Sequence, residues 1–187
     1  EKKKLQSDLE RKMTAYHEGG HAIVAHFLPH TDPVHRISIV SRGRALGFTM
    51  TPPEQDKYQQ TKDELEETIS VMLGGRAAEK LIFNKLTGGV SSDLERVTRI
   101  ARAMVMDYGM SDLAPINYGP MYDYTDYGRA AMEPYTPSEE MKKKVDAQVD
   151  RIVQDGWDRA LAILKERKTE LDAVAQRLLD VESMDED

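Results

Sequence analysis

The sequence predicts a mainly α-helical domain of the α+β class, with one small β-sheet. Long stretches repeat apolar residues at helical spacing, and several of them open with a Ser or Thr that is followed three residues later by Glu, the pattern of a capping box. Residues 34–51 instead alternate apolar and polar residues with the period of a β-strand. Helices are therefore expected to carry most of the fold.

Composition limits the classes of protein to which the chain can belong. The 187 residues are 40% hydrophobic and 32% charged, as is typical of a soluble globular domain. The 26 basic and 33 acidic residues give a net charge of −7, so nucleic acid is not an expected partner. No run of 18 apolar residues suggests a membrane span. Because cysteine is absent, a metal site would have to use His and carboxylate ligands.

Residues 1–110 are expected to form the core of the domain. A first helix is predicted from the capping box at Ser7 to about Leu28, just before a proline. Two strands, at 34–40 and 45–50, should pair through a short turn and leave one edge of the sheet exposed.

Two further helices complete the predicted core. One is opened by the capping box at Thr61 and continues through Leu81, and the other starts at Ser92 and ends near Tyr108. The chain begins with Glu1 rather than Met, so we expect it to be a fragment of a longer protein.

Two C-terminal segments follow the core. Residues 111–137 are rich in Pro, Gly, Asp and Tyr, and are expected to be a surface loop whose tyrosines either anchor it to the core or form a binding patch. Residues 138–187 are expected to form an αα-hairpin, opened by a capping box at Thr136 and closed by a frayed tail at 182–187. The tyrosines of the loop are Tyr118, Tyr122, Tyr124, Tyr127 and Tyr135.

The first predicted helix carries the motif His17-Glu18-Gly19-Gly20-His21, an H-E-x-x-H. Residues four apart lie on one face of a helix, so both imidazoles can bind a single Zn²⁺. The carboxylate of Glu18 would lie beside the metal without binding it, where it can accept a proton from a water molecule. These are the minimal residues of a metallopeptidase.

Catalytic zinc takes three protein ligands, so the two motif histidines need a third. His26, His30 and His35 are candidates by residue type, but surface or loop roles suit them better. Glu79, which follows small residues on a helix, and Asp93, at the start of the next helix, are the stronger candidates. An Asp at a helix start commonly serves as a cap, and spacing alone does not choose between the two carboxylates.

The chain resembles the peptidase domain of the FtsH family, membrane-anchored AAA+ zinc proteases of peptidase family M41. The resemblance covers essentially the whole chain and rests on an ordered set of segments, which is more specific than the zinc motif alone. The matching segments are 14–22, 37–49, 72–79, 91–98 and 108–111.

The resemblance implies that Asp93 is the third zinc ligand beside His17 and His21, and that Glu18 is the catalytic base. Glu79 then resembles a group that orients a ligating histidine through its free ring nitrogen. The family resemblance also implies a helical zinc-peptidase fold with a small sheet, and one Zn²⁺ per chain.

The resemblance further implies a homo-hexamer that degrades unfolded or membrane proteins. It places an ATPase module and membrane anchors in an N-terminal part outside this chain, and the domain on the cytoplasmic face of the inner membrane. The chain itself contains no G-x-x-x-x-G-K-[ST] motif, so ATP is not expected to bind here. The expected partners are therefore unfolded polypeptides and other copies of the chain.

An extended substrate is expected to add as a strand along the exposed edge of the sheet, because main-chain hydrogen bonds give affinity with little sequence preference. A catalytically silent zinc-binding oligomerisation scaffold is an alternative, which the presence of Glu18 disfavours. A stand-alone peptidase for small peptides is a second alternative, which the long C-terminal helices disfavour. The predicted substrate-binding strand consists of Ala45, Leu46, Gly47, Phe48, Thr49 and Met50.

Overall fold

Five α-helices and three short strands make up the described part of the chain. The computed structural model describes residues 7–40, 47–50, 59–119 and 136–185. The predicted mainly helical fold with a small sheet is confirmed. The elements are α1 (Asp8–His26), β1 (Arg36–Ser38), β2 (Phe48–Met50), α2 (Lys62–Phe83), a 3₁₀ turn (Gly88–Val90), α3 (Ser91–Met106), α4 (Glu139–Glu166), α5 (Lys168–Val181) and β3 (Ser183–Asp185).

The first two long helices begin at the capping boxes that the sequence predicted. The backbone N–H of Glu10 donates to Ser7 Oγ over 3.2 Å, and the Ser7 N–H donates back to the Glu10 carboxylate over 2.9 Å. Thr61 and Glu64 make the same reciprocal pair at 3.2 and 2.9 Å. Each box satisfies amide groups that a helix N-terminus otherwise leaves without partners.

The other two predicted helix starts are shifted by one or two residues. The helix α3 begins at Ser91, directly after the 3₁₀ turn, and has no side-chain cap. The helix α4 is capped by Ser138, whose Oγ accepts from the Met141 amide, and not by Thr136. Asp93 lies in the first turn of α3 and so stabilises the helix N-terminus through its charge.

The C-terminal tail is ordered as a strand, so the prediction of fraying is wrong for residues 183–185. The strand order is β2-β1-β3, and both pairs are antiparallel, with Ile37 opposite Thr49 on one side and Met184 on the other. Glu182 adopts a left-handed conformation (φ 63°) that turns the chain out of α5, and Met184 packs on the apolar cluster of β1. Backbone pairing with β1 therefore fixes a tail whose polar composition gave no strand signal.

The predicted pair of C-terminal helices is present as α4 and α5, joined at Arg167. The helix α4 packs along α2, and α5 packs along α1. The apolar residues of α4 lie against the chain's own core, where Val149, Ile152 and Val153 contact the cluster around Ile69. None of the described helices is long and apolar enough to cross a membrane.

The Tyr-rich segment is described only up to residue 119 and from 136, so four of its five tyrosines lie outside the described residues. The described part is irregular, as predicted. Tyr118 is buried against Val105 and Val145, and its hydroxyl donates to the carbonyl of Ala114 over 2.9 Å. This tyrosine anchors the loop to the core.

The helices α1 and α2 approach each other closely at Gly20 and Gly74. A methyl group built on Gly74 would lie 2.7 Å from the carbonyl oxygen of Gly20, and one built on Gly20 would lie 2.7 Å from Cβ of Ala78. Neighbouring Gly19 differs, because a methyl group there would make ordinary contacts with Leu171 and Val174 at 3.4 and 3.5 Å.

We therefore expect opposite effects from the same substitution at adjacent positions. Gly20→Ala should lower the free energy of unfolding by about 1–3 kcal/mol, because the helices must move apart. Gly19→Ala should raise it by up to about 1 kcal/mol, since alanine favours a helix. Urea unfolding of both variants measures the difference, and equal effects at the two positions would contradict this account of the packing.

Candidate metal centre

Three side chains with metal-binding atoms converge between α1 and α3. His17 and His21 are one turn apart on α1, and Asp93 comes from the first turn of α3. The two Nε2 atoms are 3.0 Å apart, and Asp93 Oδ2 lies 3.4 Å from Nε2 of His17 and 3.3 Å from Nε2 of His21. Among the described residues, this is the group whose geometry could hold a metal ion.

The spacing and chemistry of these atoms fit zinc. Ligand atoms at 2.0–2.2 Å from a tetrahedral zinc ion lie roughly 3.3–3.6 Å from each other, close to the separations in the structure. Two imidazoles and one carboxylate are a common ligand set for catalytic zinc, which keeps a further position for water. The three side chains thus provide the ligands that such an ion needs.

The far ring nitrogen of each histidine faces an acceptor on α2. Nδ1 of His21 is 2.7 Å from the carbonyl oxygen of Val71, and Nδ1 of His17 is 3.4 Å from Oε1 of Glu79. A carbonyl oxygen only accepts, so the neutral His21 ring carries its proton on Nδ1 and presents the Nε2 lone pair to the centre. The two acceptors thus favour the tautomer that metal binding requires.

Glu79 lies beside His17, outside the group of three. Its carboxylate is buried and accepts hydrogen bonds from Oγ1 and the backbone N–H of Thr87 at 2.8 and 3.3 Å. Burial alone would raise the pKa of Glu79, but the hydrogen bonds from His17 and Thr87 lower it. Glu79 is therefore an anion that joins a ring nitrogen of His17 to the loop leading into α3.

The charges at the centre suit a bound cation. Burial lowers the pKa of His17, yet hydrogen bonds to Asp93 and Glu79 and the nearby charge of Glu18 raise it to about 9. Burial would raise the pKa of Asp93, but its contacts with His17 and His21 hold it well below the usual range. Without a metal, a proton on His17 takes the place of the cation.

A glycine on α2 leaves the space that the two imidazoles occupy. A methyl group on Gly75 would lie 2.5 Å from Cε1 of His17 and 2.6 Å from Nε2 of His21. Nothing in the sequence assigned a site role to this residue. The only sequence signal at this position is the glycine pair Gly74-Gly75 inside a helix. Such a pair is equally consistent with close helix packing and with space for a metal site.

The centre opens into a cleft of about 890 Å³, which includes Glu18, Phe48, Thr49 and Arg96 in its wall. Glu18 is buried, and its Oε2 accepts a hydrogen bond of 2.7 Å from Thr49.

The strand β2 borders this cleft and pairs with β1 along one side, so within the described residues its other side is the edge of the sheet. Of the predicted substrate-binding strand, Gly47, Phe48, Thr49 and Met50 are described, whereas Ala45 and Leu46 lie outside the described residues.

The remaining histidines do not join the centre. His26 lies at the end of α1, with its ring edge on Phe27. The amide and Nδ1 of His30 contact the buried carboxylate of Glu67 at 2.7 and 3.1 Å, and the amide of His35 donates to the carbonyl of Met50.

Comparison with known proteins shows the family to which the chain belongs. The family model described as peptidase family M41 matches residues 4–187, nearly the whole chain. The chain belongs to peptidase family M41. Its M41 domain contains all the residues of the candidate centre.

Relatives of the M41 domain carry names that refer to zinc and ATP. The chain is 46% identical over 187 residues to ATP-dependent zinc metalloprotease FtsH 2 of Alkaliphilus metalliredigens, covering 100% of this chain and 27% of the relative. It is 45% identical over 182 residues to ATP-dependent zinc metalloprotease FtsH of Magnetococcus marinus, covering 97% and 27%. The M41 domain thus spans less than a third of the length of these relatives.

We expect zinc binding to release a proton from His17. Since the pKa of this histidine is about 9 in the metal-free protein, zinc affinity should rise by about tenfold per pH unit from pH 7 to 9 and then level off. Zinc titrations in competition with a chelator measure this slope, and calorimetry in two buffers counts the proton.

The raised pKa of His17 has the opposite effect on the stability of the metal-free protein. This stability should fall as the pH rises, whereas zinc affinity should increase. The stabilisation from protonated His17 is complete below its ordinary pKa of 6.5 and is lost as the pH rises through about 9. For the zinc titrations, an affinity that does not change between pH 7 and 9 would contradict the release of a proton from His17.

Proposed function

We propose that this chain is the zinc endopeptidase domain of an ATP-dependent, membrane-anchored protease. The observation that carries the proposal is the convergence of His17, His21 and Asp93 in an open cleft, with the buried carboxylate of Glu18 beside them. The names of the FtsH relatives support the same activity.

In this proposal the three residues hold zinc, which when bound acts as a Lewis acid toward water and the scissile carbonyl. Glu18 accepts the proton of the attacking water and later delivers it to the leaving amine. Glu79 and the carbonyl of Val71 keep the two imidazoles in the orientation that ligation needs.

The substrate would bind as an added strand along β2, at the wall of the cleft. Main-chain hydrogen bonds to a strand edge recognise any extended polypeptide, which suits broad specificity for unfolded or membrane proteins. Met50, which is 47% exposed, lies on this strand and offers an apolar contact to such a chain.

A zinc-binding scaffold without activity is the competing proposal. A purely structural zinc site is closed by four ligands, whereas the three side chains here face a cleft. A scaffold also has no use for a buried carboxylate beside the metal ligands. Both observations favour the enzyme.

The proposal for the whole protein rests on the relatives and on the family resemblance. The chain has no phosphate-binding G-x-x-x-x-G-K-[ST] motif, so ATP would act through a module outside it. Membrane anchors would also lie outside, with this domain on the cytoplasmic face of the inner membrane.

Glu18→Gln should abolish cleavage of unfolded casein while zinc content and the unfolding temperature stay unchanged, because an amide accepts a hydrogen bond but not the proton of water. Glu95→Gln, at an exposed carboxylate of α3 that pairs with Arg99, is the matched control and should retain full activity. Near wild-type cleavage by zinc-loaded Glu18→Gln protein would defeat the proposed role of Glu18.

We also propose a homo-hexamer in which residues 138–181 contribute contacts between neighbours. The apolar stripe of α4 gives this no independent support, because it packs within the chain. Electron microscopy of the full-length protein should reveal a six-membered ring with neighbour contacts along α4 or α5. A ring in which these helices touch only their own chain would contradict the proposal.

A further inference from the structure

The carboxylate of Glu18 has a specific hydrogen-bond partner on β2. Oγ1 of Thr49 lies 2.7 Å from Oε2 of Glu18 and 3.3 Å from the Glu18 backbone oxygen. A hydroxyl has one proton to donate, and the shorter distance assigns it to the carboxylate.

Gly47, which directly precedes β2, borders the rest of the Glu18 side chain. A methyl group built on Gly47 would lie 2.9 Å from Cγ and 3.1 Å from Oε1 of Glu18. Glu18 thus rests against the backbone at Gly47 while Thr49 binds its Oε2. Gly47 and Thr49 therefore limit where the second oxygen, Oε1, can lie.

The position of the Thr49 hydroxyl is set by the sheet. Thr49 pairs with Ile37 of β1, which is buried and packs among residues of α1 and α5. The strand β2 is also the proposed site of peptide addition. The same three-residue strand therefore borders the cleft and carries a hydroxyl bonded to the proposed base.

We propose that Thr49 is a positioning residue that holds Glu18 for proton transfer and so links peptide binding on β2 to catalysis. The inference rests on the proposed peptidase function. Thr49 donates to Oε2 and restricts the rotation of the carboxylate, which leaves Oε1 to face the attacking water. A peptide added to β2 would stiffen the strand and fix the hydroxyl further.

A purely structural role for Thr49 makes different predictions. If the hydroxyl only tied β2 to α1, its loss would lower the unfolding temperature or weaken peptide binding, and so raise KM. A positioning role instead lowers kcat, because the base is misplaced only in the step in which it acts. The split between kcat and KM therefore separates the two roles.

The test uses the full-length, zinc-loaded protein and a fluorogenic unfolded peptide. Thr49→Val keeps the shape and strand preference of the side chain but removes the hydroxyl. It should lower kcat by about 10- to 100-fold, the usual cost of losing a group that orients a catalytic residue. KM, zinc content and unfolding temperature should change little, and Thr49→Ser should restore most of kcat.

Thr98→Val is the matched control, since the Thr98 hydroxyl bonds only the backbone of its own helix, and its kcat should match the wild type. Peptide affinity measured in the Glu18→Gln background should be the same with and without Thr49→Val. If Thr49→Val fails to fold, Thr49→Ala compared with Thr49→Ser gives the same readout.

The inference is overturned if Thr49→Val retains kcat within about twofold, if its loss lies in KM or peptide affinity, or if Thr49→Ser is as impaired as Thr49→Val. Lack of zinc-dependent hydrolysis by the wild-type protein would instead refute the proposed function. The two failures are therefore distinguishable.

Discussion

The close approach of α1 and α2 is the constraint on which the rest of the site depends. Gly20 and Gly74 let the two backbones meet, and this contact fixes which residues of α2 face the motif histidines. Val71, Gly75 and Glu79 are spaced four residues apart and so lie on one face of α2. Val71 meets His21, Glu79 meets His17, and Gly75 leaves room between them. A wider helix separation would remove all three contacts at once.

Because the centre is largely buried, its charged side chains need partners of opposite charge. Asp93 and Glu79 remain anionic in a largely buried setting because the imidazoles bind them, and the same carboxylates raise the pKa of His17 to about 9. Buried anions are costly unless a cation is near. The centre is thus arranged to hold one positive charge, either a proton or a metal ion, and the convergent Nε2 atoms favour the metal.

Sequence patterns predicted those features of the fold that depend on interactions between residues close together in the chain. The capping boxes at Ser7 and Thr61 and the helical spacing of apolar residues gave the main helices, because their determinants lie within a few residues. The strand at 183–185 was missed, since its pairing with β1 depends on tertiary packing. The motif indicated the two histidines, but Asp93 came from resemblance, and the contacts of Thr49 and Gly75 exist only once distant segments meet.

The identity of the third ligand tests the central claim most directly. Zinc affinity would be measured for the wild type, Asp93→Ala and Glu79→Gln at one pH by competition with a chelator. Loss of Glu79 should weaken binding by about 10- to 100-fold, as for a group that orients a ligand, and loss of Asp93 should weaken it further. If Asp93→Ala binds zinc like the wild type while Glu79→Gln loses it, the assignment of the centre to His17, His21 and Asp93 is contradicted.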